Sequence, residues 1–161
     1  MARRKTWREK LADDKDLPKV ITLEEKDAKR WGTGTMVVPA PREVDALMKT
    51  VPYGRVVTIQ ELRQALATAH QTTLCCPLTT GIFAWIAAHA AEESMAAGDS
   101  EPTPYWRTLK AGGEINPKYP GGAEAAKARL EAEGHRVVAR GKRLIVENHE
   151  EHLAKLEPTL M

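Results

Sequence analysis

The stretch Pro104-Tyr105-Trp106-Arg107 is the first of three short motifs that follow one another in the chain. Tyr119-Pro120-Gly121-Gly122 has the composition of a tight turn. Glu133-Gly134-His135 comes at the end of residues 123–133, whose composition favours a helix. Gly134 ends that helix, because glycine tolerates the left-handed conformation common after helix ends. The motifs therefore predict a short extended segment, a turn and a helix, in that order.

Two further helices are predicted upstream of these motifs. Thr58 and Glu61 have the spacing of a capping box, so they start a helix over residues 58–68. Pro77 opens a second helix that continues over residues 77–97. Two successive helices followed by extended segments favour a helix-turn-helix with wing-like elements, although a generic helical hairpin has the same pattern.

The remaining elements are predicted from the spacing of apolar and turn-forming residues. They are helices over residues 3–12, 24–31 and 41–51, strands over residues 20–23, 36–38 and 55–57, and a hairpin of residues 136–139 and 143–146 turning at Gly141. Asn148 and Glu151 have capping-box spacing and predict a last helix that ends before Pro158. We therefore expect a mostly α-helical domain with short β elements over residues 41–161, preceded by a small extension, residues 1–40.

The composition is that of an ordinary globular protein. Of 161 residues, 42% are hydrophobic, and no apolar run approaches the roughly 18 residues that a membrane-spanning helix needs. The basic residues 3–10 are not followed by an apolar stretch, so we expect a cytoplasmic protein without a secretory signal. A formal net charge of +2 does not by itself indicate a nucleic-acid partner. The basic turn of Arg140, Lys142 and Arg143 either meets phosphates or forms a solvated surface.

Cys75 and Cys76 are the two cysteines of the chain, and they are adjacent. A disulfide between neighbours is strained, and two cysteines cannot complete a zinc site. They lie just before the helix opened by Pro77, and a helix N-terminus lowers the pKa of a thiol. They are therefore either reactive thiols, with His89 or His70 as the base, or small, half-buried hydrophobic residues.

The order and spacing of these motifs resemble the DNA-binding domain of the alkylguanine-DNA alkyltransferases. That family carries Ile-Pro-x-Gly before a helix that starts at Ser or Thr, then Pro-Cys-His-Arg, Tyr-x-Gly-Gly and Glu-Gly-His. This chain has Val51-Pro52-Tyr53-Gly54 and Thr58 in the first position, and the three motifs quoted above in the others. The resemblance covers roughly residues 41–136. It implies a winged helix-turn-helix of the alkyltransferase type that binds double-stranded DNA.

The chain departs from the family at the residues that carry the chemistry. The position of the alkyl-accepting Cys is Tyr105, and that of its His partner is Trp106. Alkyl transfer needs a thiolate and a base that takes its proton, which a phenol and an indole do not supply at neutral pH. The family's nucleotide-rotating Tyr is replaced by Ile59 and its inserted Arg by Gly81. The chain thus resembles the alkyltransferase-like proteins, which bind alkylated DNA without repairing it and flag it for other repair factors.

The resemblance and the residue chemistry together define a set of candidate residues for DNA contact or a lesion pocket. They are Arg55, Thr58, Thr79, Thr80, Gly81, Tyr105, Trp106, Arg107 and Tyr119. Tyr105 and Trp106 either offer aromatic faces on which a base stacks or fill the vacated pocket as core. Thr79 and Thr80 either donate to phosphate or cap their helix. Glu133, which the resemblance identifies as the third member of the family's catalytic relay, is expected to accept hydrogen bonds from a buried donor.

The leading hypothesis is a non-catalytic DNA-binding protein that senses alkylated DNA. It is expected to act as a monomer, with duplex DNA and a repair protein as partners and without a cofactor or metal ion. Two alternatives stay open. One is an enzyme with a relocated nucleophile at Cys75 or Cys76, and the other is a protein-interaction module that has lost DNA binding.

Overall fold

A computed structural model describes residues 4–25 and 28–157, so Arg3 and residues 26–27 of two predicted helices lie outside the described residues. The α-helices are α1 (Trp7–Ala12), α2 (Ala28–Trp31), α3 (Pro41–Lys49), α4 (Ile59–Ala69), α5 (Pro77–Ala96) and α6 (Gly122–Ala132). The strands are β1 (Lys19–Leu23), β2 (Gly34–Val38), β3 (Val57–Thr58), β4 (Leu74–Cys75), β5 (Thr108–Leu109), β6 (Val137–Arg140) and β7 (Arg143–Val146). The predicted fold class, mostly α with short β elements, is confirmed.

The strands of residues 4–25 and 28–157 form three small sheets. β1 pairs antiparallel with β2, and β2 pairs in parallel with β4. β3 and β5 pair in parallel, which holds the residues after Arg107 against the start of α4. β6 and β7 form the predicted hairpin, with Gly141 in its turn at a φ of 64°. Because β2 belongs to the N-terminal extension and β4 precedes α5, a shared sheet joins the extension to the rest of the chain.

The main core lies among α3, α4, α5 and α6. Large apolar side chains of three of these helices, Met48, Leu62 and Leu130, are fully buried. α5 contributes small side chains to the core, including Ala84 and Ala88. Small residues at a helix contact shorten the distance between helix axes, so the neighbouring helices pack closely on α5.

The predicted last helix is wrong. After Asn148 the chain makes a single 3-10 turn, His149–His152, and Leu153 then forms a parallel bridge with Val56. Asn148 has a φ of 56°, in the left-handed region, whereas a helix N-cap is extended. A backbone hydrogen bond from Val56 to the carbonyl of His152 (3.0 Å) stabilises this segment beside β3 in place of helical bonds.

The N-terminal extension is held on α5 by a carboxylate. Glu93 accepts hydrogen bonds from the backbone N–H groups of Trp7 (3.0 Å) and Arg8 (2.9 Å), which lie in the first turn of α1. These N–H groups have no partner within the helix, so Glu93 caps α1 from a neighbouring helix. None of the described helices is long and apolar enough to cross a lipid bilayer.

Candidate nucleic-acid interface

Glu133 follows the last residue of α6 and accepts hydrogen bonds from two separate parts of the chain. Its carboxylate accepts from Trp106 Nε1 (2.8 Å), from the guanidinium of Arg107 (2.9 Å for the shortest contacts) and from the backbone N–H of Gly54 (3.1 Å). The side chain of Glu133 is 5% exposed and that of Arg107 is 13% exposed. Glu133 is therefore one half of a buried ion pair that ties α6 to the 104–107 turn.

The guanidinium of Arg107 makes its hydrogen bonds within the protein. Besides the carboxylate of Glu133, its guanidinium donates to the backbone carbonyl of Val51 at 2.8 Å. In this conformation Arg107 is not presented to a phosphate, which differs from its predicted role. Burial alone would raise the pKa of Glu133, but the hydrogen bonds from Arg107, Trp106 and the Gly54 N–H hold that pKa below its usual value.

Tyr105 and Trp106 are packed into the protein. Tyr105 is 2% exposed, and its hydroxyl donates to Oε1 of Glu92 at 2.6 Å. The rings of Trp106 and Tyr119 meet the Tyr105 ring edge-on, with centroids 5.3 and 5.5 Å away. The guanidinium of Arg129 lies 4.3 Å from the centroid of Trp106. The aromatic faces are thus covered by other side chains, so the pocket-filling alternative describes this conformation better than an open stacking platform.

Cys75 lies in an environment that suppresses thiolate formation. It is 1% exposed, its Sγ is 3.2 Å from the Thr80 hydroxyl, and burial raises the pKa of the thiol to about 11. A nucleophilic cysteine needs a lowered pKa and access to its electrophile, and this site has neither. Thr80 is fully buried and its hydroxyl donates to the Cys76 carbonyl at 2.7 Å, so that hydroxyl is not available to a phosphate.

Both cysteines should be unreactive in the folded protein near neutral pH. Cys76 is also buried, at 7% exposed, and only a small fraction of Cys75 is thiolate at a pKa of about 11. Mass spectrometry after treatment with iodoacetamide should find adducts on both residues in urea and almost none without it. Rapid labelling of the folded protein, or an alkyl adduct after incubation with alkylated DNA, would support the relocated-nucleophile alternative instead.

Thr58 caps α4. Its hydroxyl accepts from the backbone N–H of Gln60 (3.1 Å), and the carboxylate of Glu61 accepts from the Thr58 backbone N–H (2.6 Å) and hydroxyl (2.7 Å). Thr58 is 2% exposed. The predicted capping box is confirmed, and the Thr58 hydroxyl is engaged in it.

The other candidate residues differ in exposure. The Thr79 hydroxyl is buried and makes no hydrogen bond within the described part of the chain. Ile59 is half-buried and packs against the core. Arg55 is exposed and makes one long contact, 3.4 Å, with the backbone carbonyl of Glu151. Arg55 therefore keeps its predicted availability to a phosphate.

A groove of about 870 Å³ opens between the first half of α5 and residues 110–118. The α5 side of the groove carries Leu78, 56% exposed, and Ile82, 50% exposed. Gly81 lies beside them, and a Cβ added to it would meet nothing within 4 Å. The groove therefore has an apolar wall with an open stretch of backbone in it.

The opposite side of the groove is basic. Lys110 and Lys118 line it, and among its described lining residues there is no Asp or Glu. Lys110 has a carboxylate oxygen of Glu114 at 4.0 Å, but its side chain is half exposed and such pairs contribute little. The groove is consequently positive, in a chain whose acidic and basic residues are almost balanced.

An aromatic cluster includes Trp85 and His89, which line the groove. Trp85 donates from its indole N–H to the carbonyl of Lys118 at 3.2 Å, which joins the two walls. The ring of Trp7 stacks on His89 with centroids 4.3 Å apart and meets Trp85 edge-on at 4.8 Å. Burial lowers the pKa of His89. The N-terminal extension thus supports the groove lining through Trp7.

Leu78, Ile82, Lys110 and Lys118 were absent from the residues that the sequence singled out. The available signal was the four-residue spacing of Leu78 and Ile82, which places them on one face of a helix. This spacing could not identify the exposed face, because the first half of α5 also carries Phe83, Ile86 and several alanines and is apolar all round. The two lysines are distant from α5 in sequence and become its neighbours only through the fold.

No protein-family model and no curated protein sequence matches the chain. Among solved structures, the chain is similar to the crystal structure of S. pombe Atl1 in complex with damaged DNA containing O6-carboxymethylguanine. The sequence identity is 20% and the TM-score is 0.47, and the similarity covers 71% of this chain and 94% of that chain. A likeness of this size does not place the chain in a family.

Proposed function

We propose that the chain is a non-catalytic protein that binds double-stranded DNA through the groove between α5 and residues 110–118. The observation that carries this proposal is the charge of the groove: Lys110 and Lys118 face α5, and no carboxylate lies among the described lining residues. DNA binding is dominated by lysine and arginine contacts to phosphates, and a nearby carboxylate would oppose them.

The position of α5 supports the same partner. α5 is 20 residues long, and its first turn lies at the groove. The positive end of a helix dipole favours phosphate oxygens, which adds to the charge of the two lysines. Arg55 and the exposed turn of Arg140, Lys142 and Arg143 are further candidate phosphate contacts.

The absence of alkyl transfer is part of the proposal. Tyr105 and Trp106 stand where the family has its thiol and imidazole, and both side chains are packed and hydrogen-bonded. Cys75, one of the two buried thiols, is held protonated by a pKa that burial raises to about 11. Recognition of an alkylated base then requires binding without covalent capture, as the resemblance to alkyltransferase-like proteins suggests.

A salt titration tests the proposal. The wild-type protein should bind a short duplex at low salt, and log affinity should fall linearly with log salt concentration. Lys110→Gln and Lys118→Gln should each reduce the steepness of that dependence by about 0.9, the value expected for one lost phosphate contact. Lys155→Gln is a matched control, because Lys155 lines a separate cleft beside α3. Failure of the wild type to bind any duplex would favour the protein-interaction alternative.

A second arm of the same titration addresses alkylated DNA. A duplex with one O6-methylguanine is compared with the unmodified duplex at equal salt. Tighter binding to the modified duplex, with no mass added to the protein, supports a lesion sensor. Equal affinity for both supports DNA binding without lesion recognition, which agrees with the closed packing of Tyr105 and Tyr119.

A further inference from the structure

Leu78 and Ile82 form an exposed apolar ridge on α5. They are four residues apart, so their side chains lie next to each other along the helix surface. Their exposed fractions, 56% and 50%, are high for large hydrophobic residues of the described chain. The open backbone at Gly81 leaves room for a partner to approach closely beside the ridge. Such a ridge indicates a contact that buries apolar surface.

The helix that carries the ridge is anchored in the core. The opposite face of α5 packs into the core through Ala84 and Ala88, which are almost fully buried. Ile82 is β-branched, so its χ1 angle has little freedom on a helix. A side chain with few rotamers keeps its position when it is pressed between two stacked bases, whereas a flexible side chain changes rotamer and leaves the stack intact.

The surroundings of the ridge restrict the partner. Lys110 and Lys118 lie across the groove, and the described lining residues include no carboxylate. The partner must therefore combine negative charge with apolar surface a few ångströms away. Duplex DNA has this arrangement, because phosphates flank stacked bases and deoxyribose carbons.

We propose that Leu78 and Ile82 act as a wedge that enters a base step of double-stranded DNA from the minor groove and partly unstacks it. Lys110 and Lys118 hold phosphates near that step. Apolar side chains of this kind kink DNA in minor-groove binding proteins. The wedge extends the proposed function, since it requires that the groove binds DNA.

Double-stranded DNA fits the ridge better than double-stranded RNA. The minor groove of RNA is lined by 2′-hydroxyl groups. Leu78 and Ile82 offer no hydrogen-bond partner, so these hydroxyls would lose their hydration without compensation. Deoxyribose has no such group, and its carbon atoms can contact the ridge directly.

The test uses the full chain and a short duplex with 2-aminopurine in a central TA step. Fluorescence anisotropy of an end label reports binding, and 2-aminopurine fluorescence, which rises on unstacking, reports the wedge. The variants are Leu78→Ala, Ile82→Ala and the double variant. Val20→Ala is the control, because Val20 is 51% exposed but lies on β1. All three positions are at the surface, and circular dichroism verifies that the four variants fold.

The wild type and Val20→Ala should raise 2-aminopurine fluorescence on binding. Each single variant should bind about tenfold more weakly, from the loss of one buried aliphatic side chain, and the double variant should lose the fluorescence rise but keep the wild-type salt dependence. A wild type that binds without a rise, or a double variant that retains it, overturns the wedge while leaving the proposed function intact. An equal rise with an RNA duplex overturns the assignment to DNA. Absence of any anisotropy change with the wild type overturns the proposed function itself.

Discussion

Replacing Glu133 with alanine is expected to lower the free energy of unfolding by about 3–5 kcal/mol. The change leaves the guanidinium of Arg107, whose side chain is 13% exposed, without its carboxylate. It also leaves the indole N–H of Trp106 without its acceptor. A charge that stays buried after its partner is removed costs far more than an exposed one. Urea unfolding followed by circular dichroism measures the difference.

Glu131→Ala is the matched control for this substitution. Glu131 lies on α6 two residues before Glu133, and its side chain is exposed. Its replacement should change the free energy of unfolding by less than about 0.5 kcal/mol. If the two alanine variants were equally stable, the ion pair between Glu133 and Arg107 would not hold the 104–107 turn in the way the structure indicates.

Acid should remove the contribution of the same carboxylate. The folded-state pKa of Glu133 is held below its ordinary value of 4.5, because the bonds from Arg107, Trp106 and the Gly54 N–H outweigh the effect of burial. A group with a depressed pKa stabilises the protein fully above its unfolded-state pKa, and that stabilisation is lost as pH falls through its folded-state pKa. The difference in unfolding free energy between wild type and Glu133→Gln should therefore be constant near neutral pH and narrow below pH 4.5. A difference that widened in acid would contradict the direction of the shift.

Tyr105→Ala is the second substitution with a large expected effect, a loss of about 3–5 kcal/mol in the free energy of unfolding. Tyr105 is 2% exposed and its ring contacts those of Trp106 and Tyr119, so alanine leaves a cavity between them. Tyr105→Phe should cost about 1 kcal/mol, because it removes only the hydroxyl, which donates to Glu92 at 2.6 Å and lies 3.5 Å from the Pro120 carbonyl. Thermal and urea unfolding of both variants give the comparison.

The same two variants test whether Tyr105 is a core residue or a residue on which a DNA base stacks. Phenylalanine keeps an aromatic face, so Tyr105→Phe should bind duplex DNA with wild-type affinity whether the residue is core or platform. Tyr105→Ala decides between them. A variant that is destabilised, yet binds DNA normally where it is still folded, identifies Tyr105 as core. A variant with unchanged stability and lost affinity would identify it as the platform.

Elements whose signals are local were predicted well. The cap of α4 needs only Thr58 and Glu61, and the β6–β7 turn needs only the conformational freedom of Gly141. The last helix failed because its signal, Asn148 with Glu151, competes with a pairing to Val56 that is remote in sequence. β4 was missed for the same reason, because its two residues form a strand only by pairing with β2, which is distant in sequence.

The candidate site was predicted in part. Trp106, Arg107 and Glu133 were singled out by their order in the chain, and the structure brings them into direct contact. Their roles could not be read from that order, because an arginine beside a carboxylate can be either an internal ion pair or a free phosphate contact. Burial decides between these, and burial depends on the packing of α6 against the 104–107 turn.

The amino-acid sequence is sufficient to show that positions 105 and 106 hold a phenol and an indole, which supply neither the thiolate nor the base that alkyl transfer needs. It also determined most helices, whose caps and breakers lie within a few residues of each other. Packing between distant segments sets the inward direction of Arg107 and the outward direction of Leu78 and Ile82, across the groove from Lys110 and Lys118. The first half of α5 carries apolar residues on every side, so its exposed face is selected by the shape of its neighbours and not by its own pattern.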